Sequence, residues 1–172
     1  MATIRILLGF VCFAFIGSDW SVNSNRIGDG SRKKIVVVAQ KEIGVRESME
    51  NSGPRVDQYN AYVGIRKAPW CASFVSWVFG QAGYPQPRTA WSPALFPADR
   101  LTRDPVAGMV LGIYFKDLER IAHCGIVEEV RNDWVYSIEG NTSLNGSREG
   151  DGVYRRMRHV RSIYRFSDWW KK

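Results

Sequence analysis

Apolar residues at Cys71, Phe74, Val75, Val78, Phe79 and Ala82 recur at the i, i+3, i+4, i+7 spacing of one helix face. Gly83 follows as a stop signal, and Ala68-Pro69-Trp70 precedes the run. The pattern predicts a buried helix that begins at Cys71. Two weaker stripes lie upstream. Val36, Ala39 and Ile43 fit a helix over 35–43 closed by Gly44, although Ile35 to Val38 also carry strand propensity. Val56, Tyr59 and Val63 fit a short second helix after a loop over 45–55. Residues 83–107 hold five of the seven prolines and read as an irregular excursion. From residue 108 the period changes to two, with strands expected at 109–115, 121–130, 134–140, 152–158 and 161–166. Helices first and strands later predict an α+β fold, with N-terminal helices packed on an antiparallel sheet.

The first residues follow a different rule. Arg5 precedes the apolar run Ile6 to Phe15, which ends in Ile16-Gly17-Ser18. This is the pattern of an export signal over 1–18, and the run is short for a bilayer span. Ile16 and Ser18 make a poor cleavage site, so an uncleaved anchor stays open. Lipid attachment at Cys12 is disfavoured by the bulky Phe10-Val11 before it. Residues 19–34 read as a linker and 35–172 as one domain. The expected location is periplasmic, cell envelope or secreted, with no stable membrane insertion once the signal is removed.

Composition bounds the rest. Hydrophobic residues make up 45% of the 172, enough for a core without disulfide staples. The net charge of +7 favours polyanionic partners. No basic recognition helix, zinc-finger spacing or aromatic RNA-binding strand accompanies it, so nucleic acid is not expected as a partner. A monomer without cofactor is expected.

The start of a buried helix is where a protein would put a cysteine nucleophile. Unpaired backbone N–H groups and the positive end of the helix dipole there favour a thiolate. A packed inert thiol is the alternative. The chain has two histidines. His159 sits in the basic run Arg155-Arg156-Met157-Arg158 and reads as solvated, whereas His123 lies in an apolar strand. Alternation puts His123 and Cys124 on opposite strand faces, so they are not expected to meet the same partner. A three-residue hairpin loop, Arg131-Asn132-Asp133, would set Val130 opposite Trp134. That register places His123 opposite Asn141 and Gly125 opposite Glu139, so His123, Glu139 and Asn141 share a face. A two-residue loop would flip the parity. A cysteine, a histidine and a polar orienting group supply a thiol hydrolase, in which a thioester forms and is hydrolysed. The Cys71 N–H would assist at the oxyanion. No metal site is expected, since the spacing around His123 and Cys124 fits no common one.

Four stretches carry a resemblance: Ala39 to Glu47, Pro69-Trp70-Cys71-Ala72-Ser73-Phe74-Val75, Ala122-His123-Cys124-Gly125-Ile126-Val127, and Ile138-Glu139-Gly140-Asn141-Thr142. They resemble the CHAP family, the cysteine- and histidine-dependent amidohydrolases and peptidases, and more distantly NlpC-like cell-wall peptidases. The resemblance implies a papain-like fold and hydrolysis of an amide in peptidoglycan. It implies Cys71 as nucleophile, His123 as base, and Glu139 or Asn141 as the orienting residue. Tyr59 resembles the oxyanion tyrosine of NlpC-like enzymes. Gly108-Met109 departs from the Gly-Asp that many CHAP domains carry. Asp19 and Asp29 do not form the calcium loop of some relatives. Loops beside a nucleophile usually wall its cleft, so Arg55, Trp70 and Trp91 are the expected substrate contacts. Which amide is cut stays open. So do a non-catalytic wall- or protein-binding domain and an antibacterial effector.

Overall fold

The computed structural model describes residues 30–145 and 149–170. The expected signal segment, Cys12 and residues 19–29 lie outside the described residues. Helix α1 runs Gly30–Lys41. It starts ahead of the apolar stripe, so residues 30–34, read from sequence as linker, are helical. The reason is polar. Arg32 is buried and donates to Asp168 at 2.7 Å, docking the first turn through a charge that an apolar pattern does not reveal.

Helices α2 (Val56–Tyr62) and α3 (Cys71–Gln81) follow. Every α3 residue from Cys71 to Phe79 is buried. The helix lies against α1, α2 and two strands, β3 (Arg120–Arg131) and β4 (Trp134–Thr142). A helix that is apolar on most sides must be covered on most sides. Phe74, Val75, Val78 and Phe79 are all 0% exposed, each worth about 1.5–3 kcal/mol of transfer free energy. That anchoring fixes where the first turn of α3 sits.

The remaining strands are β1 (Leu101–Thr102), β2 (Val110–Phe115), β5 (Gly152–His159) and β6 (Arg165–Ser167). The six form one antiparallel sheet in the order β1-β6-β2-β3-β4-β5. The architecture is α+β, with three helices among the described residues. Two details differ from the sequence reading. The strand expected at 161–166 is a 3₁₀ turn, Val160–Ser162, followed by the short β6. The proline-rich excursion contributes β1, whose two residues are too few to show a period. Both faces of the sheet are buried. Cys124, Ile126, Ile138 and Val153 meet the helices, and Met109, Leu111, Val127, Val135, Ile163 and Phe166 form a second cluster.

Gly140 permits the close approach of α3 to β4. A Cβ at this position would lie 2.7 Å from Phe74 and 2.8 Å from the Trp70 ring. Its absence brings the Cys71 end of the helix down onto the sheet.

Candidate active site

Cys71 is the first residue of α3, and no side chain caps the helix at Trp70. The first-turn N–H groups are therefore not occupied by a cap, and the helix dipole ends at the cysteine. The thiol packs on β3, with Sγ 4.0 Å from the Ala122 carbonyl oxygen. Trp70 itself is 0% exposed. Its ring lies 5.5 Å from that of Tyr59, and its indole N–H donates to Glu47. It is a core anchor and not the substrate contact expected from sequence.

The hairpin that brings His123 to Glu139 differs from the expected one and reaches the same register. The loop has two residues, Asn132-Asp133, because Arg131 pairs with Trp134. By itself this would flip the parity. A β-bulge then intervenes: Val130 pairs with Val135 and Glu129 with Tyr136, but Val127 pairs with Ser137 and Ile126 with Ile138. The extra residue, Glu128, restores the parity. The His123 Nε2 and Glu139 Oε2 atoms are 2.8 Å apart. Gly125 makes room for this contact, since a Cβ there would lie 2.5 Å from Glu139 Cγ.

Asn141 does not join them. The β4–β5 ladder shifts register between Glu139 and Thr142, and Asn141 takes a φ of 52°. Its side chain is re-aimed. With the amide assigned in the orientation that satisfies both neighbours, its oxygen accepts from the Trp70 backbone N–H at 3.1 Å and its nitrogen donates to the Gly150 carbonyl at 3.0 Å. Asn141 thus braces the start of α3.

Electrostatics favour an ion pair. The Glu139 carboxylate is fully buried, which alone would raise its pKa. Bonds from Arg158 and His123 overcome this and hold it well below the usual carboxylate range. Burial disfavours the His123 imidazolium, but hydrogen bonds to Cys71 and Glu139 outweigh it and push the pKa up to about 9. Nε2 is committed to Glu139, which leaves Nδ1 for the Cys71 sulfur. The Cys71 pKa is held well below the ordinary thiol value, first by the Cys124 thiol and, against burial, by His123. The Cys124 thiol is pushed up by its burial and by the Cys71 sulfur. Both cysteines are free. His123 and Cys124 therefore both reach Cys71, contrary to the alternation argument. The sulfur lies against the β3 backbone near Ala122, and Ala122 is itself a bulge, since Ile113 pairs with His123 and Tyr114 with Ile121.

Of the other expected contacts, Tyr59 and Arg55 are taken up within the fold, and Trp91 stays exposed. Tyr59 is 0% exposed and its hydroxyl donates to Glu42 at 2.5 Å, so it is committed to the core and not to an oxyanion. Arg55 forks onto the same carboxylate, at 2.7 and 2.6 Å, and stacks on Trp77. That guanidinium is engaged within the fold and not held out for a substrate carboxylate. Trp91 is 53% exposed, with the Arg120 guanidinium 4.4 Å from its ring centroid. Its neighbour Ser92 donates to the Ile121 carbonyl at 3.0 Å, next to Ala122 and His123. One residue escapes the sequence reading altogether. Arg158, next in the chain to the His159 read as solvated, forms two bonds to Glu139, at 2.7 and 2.6 Å. Among the described residues no cluster of three or more His, Cys, Asp or Glu could hold a metal, and no helix is long and apolar enough to cross a membrane.

No family profile and no curated protein matches the chain. Among solved structures the chain is similar to Ly7917, determined in crystals with the hydrolyzing product of MDP. The identity is 15% and the TM-score 0.45, over 78% of this chain and 61% of that one. The chain thus spans about three-fifths of that structure's length.

Proposed function

We propose that this protein is an exported thiol hydrolase of papain-like design that cleaves an amide bond in peptidoglycan. One observation carries the reading: a cysteine at an uncapped helix start meets a buried histidine held by a buried carboxylate. In the resting state the Cys71 thiolate faces the His123 imidazolium. The thiolate attacks the amide carbonyl carbon, and the oxyanion forms beside the Cys71 N–H at the positive end of α3. The imidazolium gives its proton to the leaving amine, which departs and leaves a thioester on Cys71. His123, now neutral, takes a proton from water, whose oxygen attacks the thioester and releases the acid. Glu139 is the orienting group in this reading. It holds Nε2 so that Nδ1 faces the sulfur, and its charge stabilises the imidazolium.

The choice of peptidoglycan rests on the resemblance of the motifs to the CHAP family, on the net charge of +7, which suits an acidic wall, and on the exposed Trp91 beside the His123 strand. Export rests on the apolar run before residue 18.

Mass spectrometry of purified peptidoglycan digested by the full chain tests the reading. New termini at one amide, produced by the wild type and not by Cys71→Ser, are expected. Intact peptidoglycan after prolonged digestion with folded wild type would leave a wall- or protein-binding domain as the better description.

A further inference from the structure

The Glu139 carboxylate is saturated with donors. Ser137 Oγ at 2.6 Å and Arg158 Nε at 2.7 Å meet Oε1. His123 Nε2 at 2.8 Å and Arg158 Nη2 at 2.6 Å meet Oε2. A carboxylate offers about four lone-pair sites, so no acceptor capacity remains. The guanidinium is a rigid planar fork, and its two bonds fix the plane of the carboxylate. They also bring a second cation onto the oxygen that His123 uses. Two like charges on one site oppose each other, so each weakens the hold of the carboxylate on the other.

We propose that Arg158 is a positioning residue for the Cys71–His123–Glu139 site: it shares the Glu139 carboxylate with His123 and limits how tightly that carboxylate holds the imidazolium. The proposal rests on the thiol-hydrolase reading. It explains a feature that reading leaves unused. An imidazole bound too firmly to its proton is a poor acid for the leaving amine. Arg158 lies on β5, 21% exposed at its side chain, and reaches along the sheet face past Ser137 to Glu139. The titratable and charged groups that act on His123 are Cys71 from α3, Glu139 from β4 and, through Glu139, Arg158 from β5. Cys124 on β3 acts on Cys71, and the β2 residue paired with His123 is Ile113, which does not titrate.

The test is a ring-nitrogen NMR titration of the full chain. With two histidines, His159→Gln assigns the signals. Arg158→Met should raise the His123 midpoint by roughly one pH unit, a tenfold tighter proton. Arg158→Lys, which keeps a charge but loses the fork, should raise it by less. Glu139→Gln should lower it. If Arg158→Met leaves the midpoint unchanged or lowers it while Glu139→Gln lowers it, Arg158 is a structural pin and the proposal falls alone. If Glu139→Gln leaves the midpoint in place, the Cys71–His123–Glu139 reading falls with it. Should Arg158→Met fail to fold, Arg158→Lys decides: an upward shift supports the proposal, and an unchanged midpoint overturns it.

Discussion

Replacing Glu139 by Gln isolates charge from shape. The residue is 0% exposed, and glutamine fills nearly the same volume, so packing is retained. An opposite charge in hydrogen-bond contact is worth about 1–3 pKa units, so the His123 midpoint should fall from about 9 to about 6–8. Cys71 then loses part of its cationic partner, and less of it is thiolate at neutral pH. Stability falls too. Removing one partner of a buried pair costs about 3–5 kcal/mol, and the partly exposed Arg158 argues for the lower end. For a domain of this size that is a Tm lower by about 6–12 °C. The pH dependence carries the sign. The folded His123 pKa lies above its ordinary 6.5, so its stabilisation is complete below 6.5 and is lost as pH rises through about 9. The Tm gap between wild type and Glu139→Gln should therefore narrow between pH 6.5 and pH 10. Thermal melts across that range, with iodoacetamide labelling of Cys71 at neutral pH, check it. A constant gap together with unchanged labelling would refute the argument that Glu139 holds the imidazolium.

Iodoacetamide should label Cys71 faster than Cys124 near neutral pH, because the two thiols are shifted in opposite directions; equal slow labelling would count against the thiolate. Turnover should fall as pH rises through about 9, where His123 loses the proton needed by the leaving amine, and a pH–rate profile reads this limb. Gly125→Ala places a Cβ 2.5 Å from Glu139 Cγ, so the variant should lose about 1–3 kcal/mol and show a lowered His123 midpoint by NMR. Arg55→Ala leaves the buried Glu42 short of donors and should cost about 1–3 kcal/mol in a denaturant melt, with KM unchanged. Trp91→Ala removes an exposed ring stacked by Arg120 and should raise KM on soluble wall fragments while Tm moves little; a large fall in Tm would assign the ring to packing instead.

Apolar period made α3 legible, including the position of Cys71 at its first residue, because burial of one helix leaves a strong pattern. Polar residues with buried partners left no such trace. Arg158 stands in a run of basic residues that gives no sign of a buried partner, yet alternation turns it onto the face that holds Glu139. Tyr59 and Arg55 look like free functional groups until Glu42 is seen to take both. Glu42 lies 17 positions from Tyr59 and 13 from Arg55, and sequence alone offers no distance between them. Trp70 reads as a cleft residue from its place beside Cys71, but Gly140 and Tyr59 enclose it.

The register of β3 against β4 shows why a correct face can follow from a wrong loop. Parity along a hairpin depends on loop length plus the number of bulged residues between the turn and the site. A three-residue loop without a bulge and a two-residue loop with one give the same alignment beyond the bulge. The observed choice has a physical cause. Asn132 accepts a φ of 51°, which a tight turn needs and asparagine tolerates better than most residues. The displaced Glu128 is then held from outside, by Gln40 of α1 at 2.7 Å and by Arg155 of β5 at 2.5 and 2.7 Å. Ala122 forms a second bulge on the β2 side. The stretch 123–127 is thus a regular segment framed by two irregular ones, and His123 stands at its edge. Bulges recur where a strand must re-aim a side chain. Here the pair lets one strand serve two faces: Cys124 and Ile126 pack into the core under the helices, while His123 turns to Glu139 and still reaches the sulfur at the start of α3.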